Sequence, residues 1–287
     1  MDTGIKIGII GGSGLYKMDS LSEVSTEYVS TPFGEPSGPV VVGKLAGKRV
    51  AFLARHGEGH VKNPSEVNYR ANIYALKSLG VRFIIGISAC GSLREDYAPG
   101  DIVIPDQLFD FTKGKREMSF FDGGIVVHIA SDQPFCPELS QIIHRAAAFD
   151  QKTVHAGGTF VTIEGPRFST KGESTLFRQW GLDIIGMTTS PEAYLAREAE
   201  ISYATMAHVT DYDVWHEEPV STEMVIETFT KNIEHAQKSI ERAVERIDEE
   251  AEFSAHSALK GALITKPEKI APTTRARVEL LIGGYLK

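Results

Sequence analysis

The residues best suited to chemistry stand in one short run, Val209-Thr210-Asp211-Tyr212-Asp213-Val214-Trp215. Asp211 and Asp213 lie two apart where the apolar stretch from Ile201 to Val209 ends. That stretch reads as a strand, and the polar segment after Trp215 reads as a loop. Carboxylates at a strand exit make poor core, because a buried unpaired charge is costly, and good site material. Two of them at a fraying strand end can converge on one ligand, as proton donor and as hydrogen-bond acceptor. Taken alone, the pair also fits a helix start or a metal-ligand pair. Other strand ends decide between these readings.

Several strands end in donors. Ile5 to Ile10 runs into Gly11-Gly12-Ser13-Gly14, where main-chain N–H groups and the Ser13 hydroxyl can approach an anion. Neither the dinucleotide fingerprint nor the Walker pattern fits there, which disfavours a dehydrogenase; a plain tight turn is the alternative. Arg49 to Leu53 exits into Ala54-Arg55-His56-Gly57-Glu58-Gly59-His60, a cationic corner suited to an oxyanion. The alternative is a solvated loop whose Arg pairs with a surface Glu. His56 and His60 are four apart, but the glycines between them exclude a helix and hence a metal pair. Val81 to Ile87 exits into Ser88-Ala89-Cys90-Gly91-Ser92, with Cys90 read as a packing residue. Thr159 to Ile163 exits into Glu164-Gly165-Pro166-Arg167-Phe168-Ser169, and Asp183 to Met187 into Thr188-Thr189. Phe168 can offer its face to a base or sugar; a structural Glu–Arg pair with a core Phe is the alternative. Ligands of open α/β sheets gather at the carboxyl ends of strands, so these exits are cumulative.

The elements that must position these residues suggest one large α/β domain. The 287 residues are 42% hydrophobic and 24% charged, a globular composition. The formal net charge of -8 argues against nucleic acid as main partner. Cys90 and Cys136 are the two cysteines, expected as reduced thiols. With no signal-peptide pattern and no apolar run of membrane-spanning length, a cytoplasmic protein is expected. Apolar periodicity predicts helices over 64–79, 137–149, 172–180, 191–199 and 221–247. Strands are predicted over 40–44, 102–105 and 125–130, the last containing His128. Phe109 to Asp122 reads as a long loop with Lys113, Lys115 and Arg116. His208 reads as a core histidine. After Glu250 the acidic body gives way to a basic segment. The domain is therefore placed at 1–250, with an extension of unassigned role at 251–287.

Together, Gly11-Gly12-Ser13-Gly14, Thr31-Pro32-Phe33-Gly34, Ala54-Arg55-His56-Gly57, Asn68-Tyr69-Arg70-Ala71-Asn72, Cys90-Gly91-Ser92-Leu93-Arg94, Glu164-Gly165-Pro166-Arg167-Phe168, Gly186-Met187-Thr188 and Thr210-Asp211-Tyr212-Asp213 resemble the nucleoside phosphorylase superfamily. The likeness is to its trimeric purine class, collinear from about residue 5 to 250. It implies a central mixed β-sheet flanked by helices, and a homotrimer or dimer of trimers. It implies phosphorolysis of the N-glycosidic bond of 5′-methylthioadenosine to adenine and 5-methylthioribose 1-phosphate, in purine and methionine salvage. Phosphate is then a co-substrate, and no metal or other cofactor is needed. By the same resemblance, Ser13, Arg55, His56, Ser88, the Ala89 main chain and Thr188 hold phosphate. Met187 lies against ribose and Phe168 against the nucleoside. Asp211 and Asp213 face purine N7 and the 6-amino group, and His128 is lent by a neighbouring subunit. Relatives acting on 6-oxopurines carry Asn where this chain has Asp211. Gly186 departs from the pattern, standing where other members carry Asn.

Overall fold

The computed structural model describes residues 3–12, 14–217 and 220–286. In chain order the strands are β1 (Ile7–Gly11), β2 (Ser22–Glu27), β3 (Val40–Leu45), β4 (Lys48–Ala54), β5 (Phe83–Ser92), β6 (Ile102–Ile104), β7 (Gln107–Phe111), β8 (Val154–Ala156), β9 (Thr159–Ile163), β10 (Ile184–Gly186) and β11 (Ser202–Asp211). The helices are α1 (Tyr69–Ser78), α2 (Pro137–Ala147), α3 (Lys171–Gln179), α4 (Thr189–Glu198), α5 (Thr222–Lys231), α6 (Ile233–Arg246) and α7 (Pro272–Ile282). None is long and apolar enough to cross a membrane.

All described strands join one mixed sheet, with the path β2-β3-β4-β1-β5-β10-β9-β7 and a branch from β5 through β11 and β6 to β8. β5 and β11 are its centre. All ten residues of β11 are buried, as a strand covered on both faces requires. Side chains alternate between two cores. One face carries Ile10, Ile84 and Tyr203 against α1, α4 and α7. The other carries Ile9, Ile85 and Met206 against α2 and α6.

The single α/β domain and its mixed, helix-flanked sheet agree with the expectation; several element bounds do not. α1 begins at Tyr69 rather than at Pro64, because the Asn68 carboxamide accepts from the Ala71 N–H at 3.1 Å and caps it. β5 continues to Ser92, so Ser88 to Ser92 lie within the strand, not beyond it. The helix expected over 221–247 breaks at Asn232, whose side chain accepts from Lys152 Nζ at 2.9 Å and donates to Thr228 O at 3.1 Å. Residues 125–130 form no strand, only a bridge between Val127 and Leu263. Part of the expected 109–122 loop is β7, paired with β9 at the sheet edge. Its mostly half-exposed residues give no continuous apolar run to read.

The segment after 250 shares a core with the sheet. Leu259, Ile270, Val278, Leu281 and Ile282 pack in the cluster that holds Ile5 and Ile84. Glu200 Oε1 fastens it, accepting from Leu259 N at 3.0 Å and Tyr285 OH at 2.7 Å. Ile282→Ala should therefore cost about 2–5 kcal/mol, as buried aliphatic truncations do, read as a lower urea midpoint. Removing 251–287 should abolish cooperative unfolding altogether. A truncated chain that melts like the full one would show the segment to be an independent appendage.

Candidate active site

The site grows from a split along one edge of β5. β1 pairs with β5 only from Phe83 to Gly86. β10 arrives antiparallel on the same edge and pairs with Gly91 and Ser92. Among the described residues no strand covers Ile87 to Cys90 there. Strand alternation sends the main-chain groups of Ile87 and Ala89 toward this gap, and the Ile87 carbonyl is met there by Arg55. β10 runs on toward the gap through Met187 to Thr188, which is buried. Within α4, Ser190 has the non-helical angles φ −99° and ψ 132°, so the continuous helix starts at Pro191, as the sequence suggests. Its N-terminal N–H groups add positive potential. The hydroxyls of Ser88, Thr189 and Ser190 are buried without a partner among the described residues.

Arg55 differs from expectation. Its Nε and Nη2 donate to the two Glu192 oxygens at 2.7 Å each, and its Nη1 donates to Ile87 O at 2.9 Å. Burial opposes the cation, and Glu192 more than reverses that effect. The guanidinium is thus engaged inward, and its pairing is not the surface one considered above. Tyr203 OH donates to the same carboxylate at 2.8 Å. His56 sits at the corner with its Nδ1 2.9 Å from Lys62 O and its ring stacked 4.1 Å from His60. The carbonyl can only accept, so Nδ1 carries the proton. Burial, with Arg55 beside it, lowers the His56 pKa to about 4. Ser13 lies outside the described residues.

The carboxylate end lies two residues further along β5, about 7 Å of strand. Asp211 pairs with Gly91 after a bulge at Thr210. A side chain at 91 would bring its Cβ within 2.9 Å of Asp211 Oδ1 and 3.3 Å of Asp213 Cβ. Glycine therefore makes the space the pair occupies. Asp211 Oδ1 accepts from Asp213 N at 2.8 Å, and Oδ2 accepts from Thr210 Oγ1 at 2.7 Å. Ser169 Oγ lies 2.8 Å from both Asp213 oxygens. Both carboxylates are buried, and burial pushes both pKa values up, with Asp213 adding to the effect on Asp211. Trp215 Nε1 donates to Ser92 O at 2.7 Å and pins the loop that follows.

The structure thus brings Asp211, Asp213, Ser88, Ala89, Met187 and Thr188 to the exits around the β5 split. Phe168, half-buried, sits on the segment that Ser169 staples to Asp213. His128 is elsewhere, exposed and joined through its N–H to Ala262 O at 2.9 Å. Arg167 pairs with Glu173 rather than Glu164, at 2.7 Å. Burial pushes the Cys90 thiol well up, as fits a packing residue. His208 is fully buried and lowered to about 3 by that burial. Gly186 faces Phe160, whose ring lies 2.7 Å from where a Cβ would stand, so a larger residue there needs a different ring position. The sequence gives Ser169, Glu192 and Arg116 no role of their own; their roles depend on partners 44 to 137 residues away, which no spacing signals.

The chain is similar to known proteins over most of its length. The family model described as the phosphorylase superfamily matches residues 6–245. A protein of Chloroflexus aurantiacus named S-methyl-5′-thioadenosine phosphorylase is 54% identical over 281 residues, covering 97% of this chain and 98% of its own. A crystal structure of methylthioadenosine phosphorylase from an antarctic soil metagenomic library superposes with a TM-score of 0.93 at 49% identity, covering 97% of this chain and 99% of that one. A mutant of adenosine/methylthioadenosine phosphorylase from Schistosoma mansoni, in complex with methylthioadenosine, gives 0.80 at 40% identity over 90% of this chain and 99% of that one. The chain belongs to the phosphorylase superfamily.

Proposed function

We propose that this protein cleaves 5′-methylthioadenosine with inorganic phosphate, giving adenine and 5-methylthioribose 1-phosphate for purine and methionine salvage in the cytoplasm. The observation that carries the reading is the buried Asp211–Asp213 pair about 7 Å along β5 from an uncovered donor edge. That separation suits a base at one end, phosphate at the other and ribose between. The names of the similar proteins support the substrate.

Phosphate is held by main-chain N–H of Ala89, by the hydroxyls of Ser88, Thr188 and Ser13, and by His56. Arg55 joins them, its fork held in place by the Ile87 carbonyl and Glu192. As the C–N bond breaks, the ribosyl centre becomes cationic and the phosphate opposite stabilises it. The leaving purine needs a proton at N7. Asp211, whose hold on a proton burial strengthens, supplies it. Ionised Asp213 accepts from the 6-amino group, which disfavours a 6-oxopurine. Met187 packs on ribose and Phe168 on the nucleoside. No metal or redox cofactor enters. A homotrimer, or a dimer of trimers, brings His128 of one subunit to the 5′ group at the next.

Three measurements test this. Methylthioadenosine, adenosine and inosine should be compared with and without phosphate. Adenine release only with phosphate is expected, and inosine as best substrate would reverse the base assignment. Asp211→Ala should lose at least about 100-fold in kcat while phosphate still protects against thermal unfolding; an undiminished kcat would end Asp211's role. The scheme needs Asp213 ionised and Asp211 protonated, with both pKa values raised. Accordingly kcat/KM should rise with pH as Asp213 ionises and fall as Asp211 loses its proton, the two apparent values belonging to the pair. Asp213→Asn should erase the rising limb; a limb that persists unchanged belongs to another group.

A further inference from the structure

Arg116 is a buried cation that the reaction scheme leaves without a task. Its neighbours Lys113 and Lys115 are exposed, yet its own side chain is only 1% exposed. The guanidinium meets main chain almost everywhere it points. Nη1 donates to Met187 O and to Ser190 O, each at 2.7 Å, and Nη2 donates to Glu164 O at 2.7 Å. Glu164 Oε1 lies 3.4 Å from Nε, and the other Glu164 oxygen accepts from Lys113 N at 2.6 Å. The Tyr69 ring lies beneath, 5.5 Å from the guanidinium carbon.

The three carbonyls belong to two different strand exits. Glu164 opens the segment after β9 that carries Phe168 and Ser169, and Ser169 holds Asp213. Met187 and Ser190 bracket Thr188 in the segment after β10. β9 and β10 are paired, but their register ends at Thr162 and Gly186. Beyond those residues the described ladder no longer holds the two segments together. A planar fork with several fixed donors can satisfy three carbonyls at once; an ammonium on a flexible stem cannot hold that geometry. A buried cation so far from solvent is tolerable only when most of its protons are met in this way; of the guanidinium nitrogens, Nε alone has no hydrogen-bond partner among the described residues.

We infer that Arg116 is a positioning residue that ties the base-side segment (Glu164 to Ser169) to the anion-side segment (Met187 to Ser190). It thereby fixes the distance between the groups that hold the two ends of the substrate. What is bound at each end rests on the phosphorolysis reading above; the tie itself does not.

The test compares the full chain with Arg116→Lys and Arg116→Ala. In Arg116→Lys the charge remains and the fork is lost. Hydrogen exchange should speed up in both 165–169 and 187–190, while β5 and β11 stay protected. KM for methylthioadenosine and KM for phosphate should both rise about tenfold, with a larger combined loss in Arg116→Ala, since small misplacements at a site are costly. Wild-type protection of both segments in Arg116→Lys, or faster exchange confined to 112–119, overturns the inference whether or not the protein is a phosphorylase. So does a change in only one of the two KM values. Should Arg116→Ala not fold, Arg116→Lys decides alone. Wild-type protein that releases no adenine with phosphate defeats the activity reading instead, and the exchange result still stands for or against the tie.

Discussion

The structure depends on β5 having to serve two strands along one edge. β1 takes the first part of that edge in parallel and β10 takes the last part antiparallel. β1 pairs no further than Gly86 and β10 no nearer than Gly91, so among the described residues the stretch between them stays uncovered. Main-chain donors left unpaired inside a protein are unfavourable unless something meets them. The split is therefore a place prepared for polar atoms from outside. The opposite edge of β5 is filled by β11 through nine paired positions, which keeps the gap from spreading and delivers Asp211 to a fixed place beside it.

Charge is handled by containment. Arg55 and Glu192 neutralise each other in a two-pronged pair, with Tyr203 adding a third hydrogen bond. A buried pair of this kind adds little net stability, but removing one partner is strongly destabilising. Its effect is to make the floor of the gap stiff. Positive potential toward the gap then falls to sources that cannot reorient: main-chain N–H groups and the start of the helix at Pro191. The aspartates obey the opposite logic. They have hydroxyl and main-chain N–H donors as neighbours and no paired cation among the described residues, so burial dominates and both hold protons more tightly than usual.

Much of this was legible in the sequence, for identifiable reasons. The apolar runs of β1, β5 and β11 are long and continuous, and donors stand where they end. Asp211 and Asp213 announce themselves as charges at the end of a mostly apolar strand. The destination of a side chain is a different matter. Arg55 was legible as a cation at a corner, but not that Glu192, distant in sequence, would claim it. Arg116 stands among exposed lysines and looks like one of them. β7 was missed because an edge strand need not be apolar, and the break at Asn232 was hidden because the apolar spacing of 226–247 continues across it. Periodicity reports which face is buried; it is silent on hydrogen bonds between segments far apart in the chain.

The joint core of α7 and the sheet has a consequence for the order of assembly. Ile5 and Ile10 share a cluster with Leu281 and Ile282, so one face of the sheet is finished by residues that leave the ribosome about 270 positions after it was begun. Until they arrive, Ile84 and Tyr203 have only part of their cover. A nascent chain of this kind carries wet apolar surface for most of its synthesis, the condition under which intermediates aggregate or recruit chaperones. Helix α7 acts on the calendar of folding: it sets the moment at which this face of the sheet can first be covered.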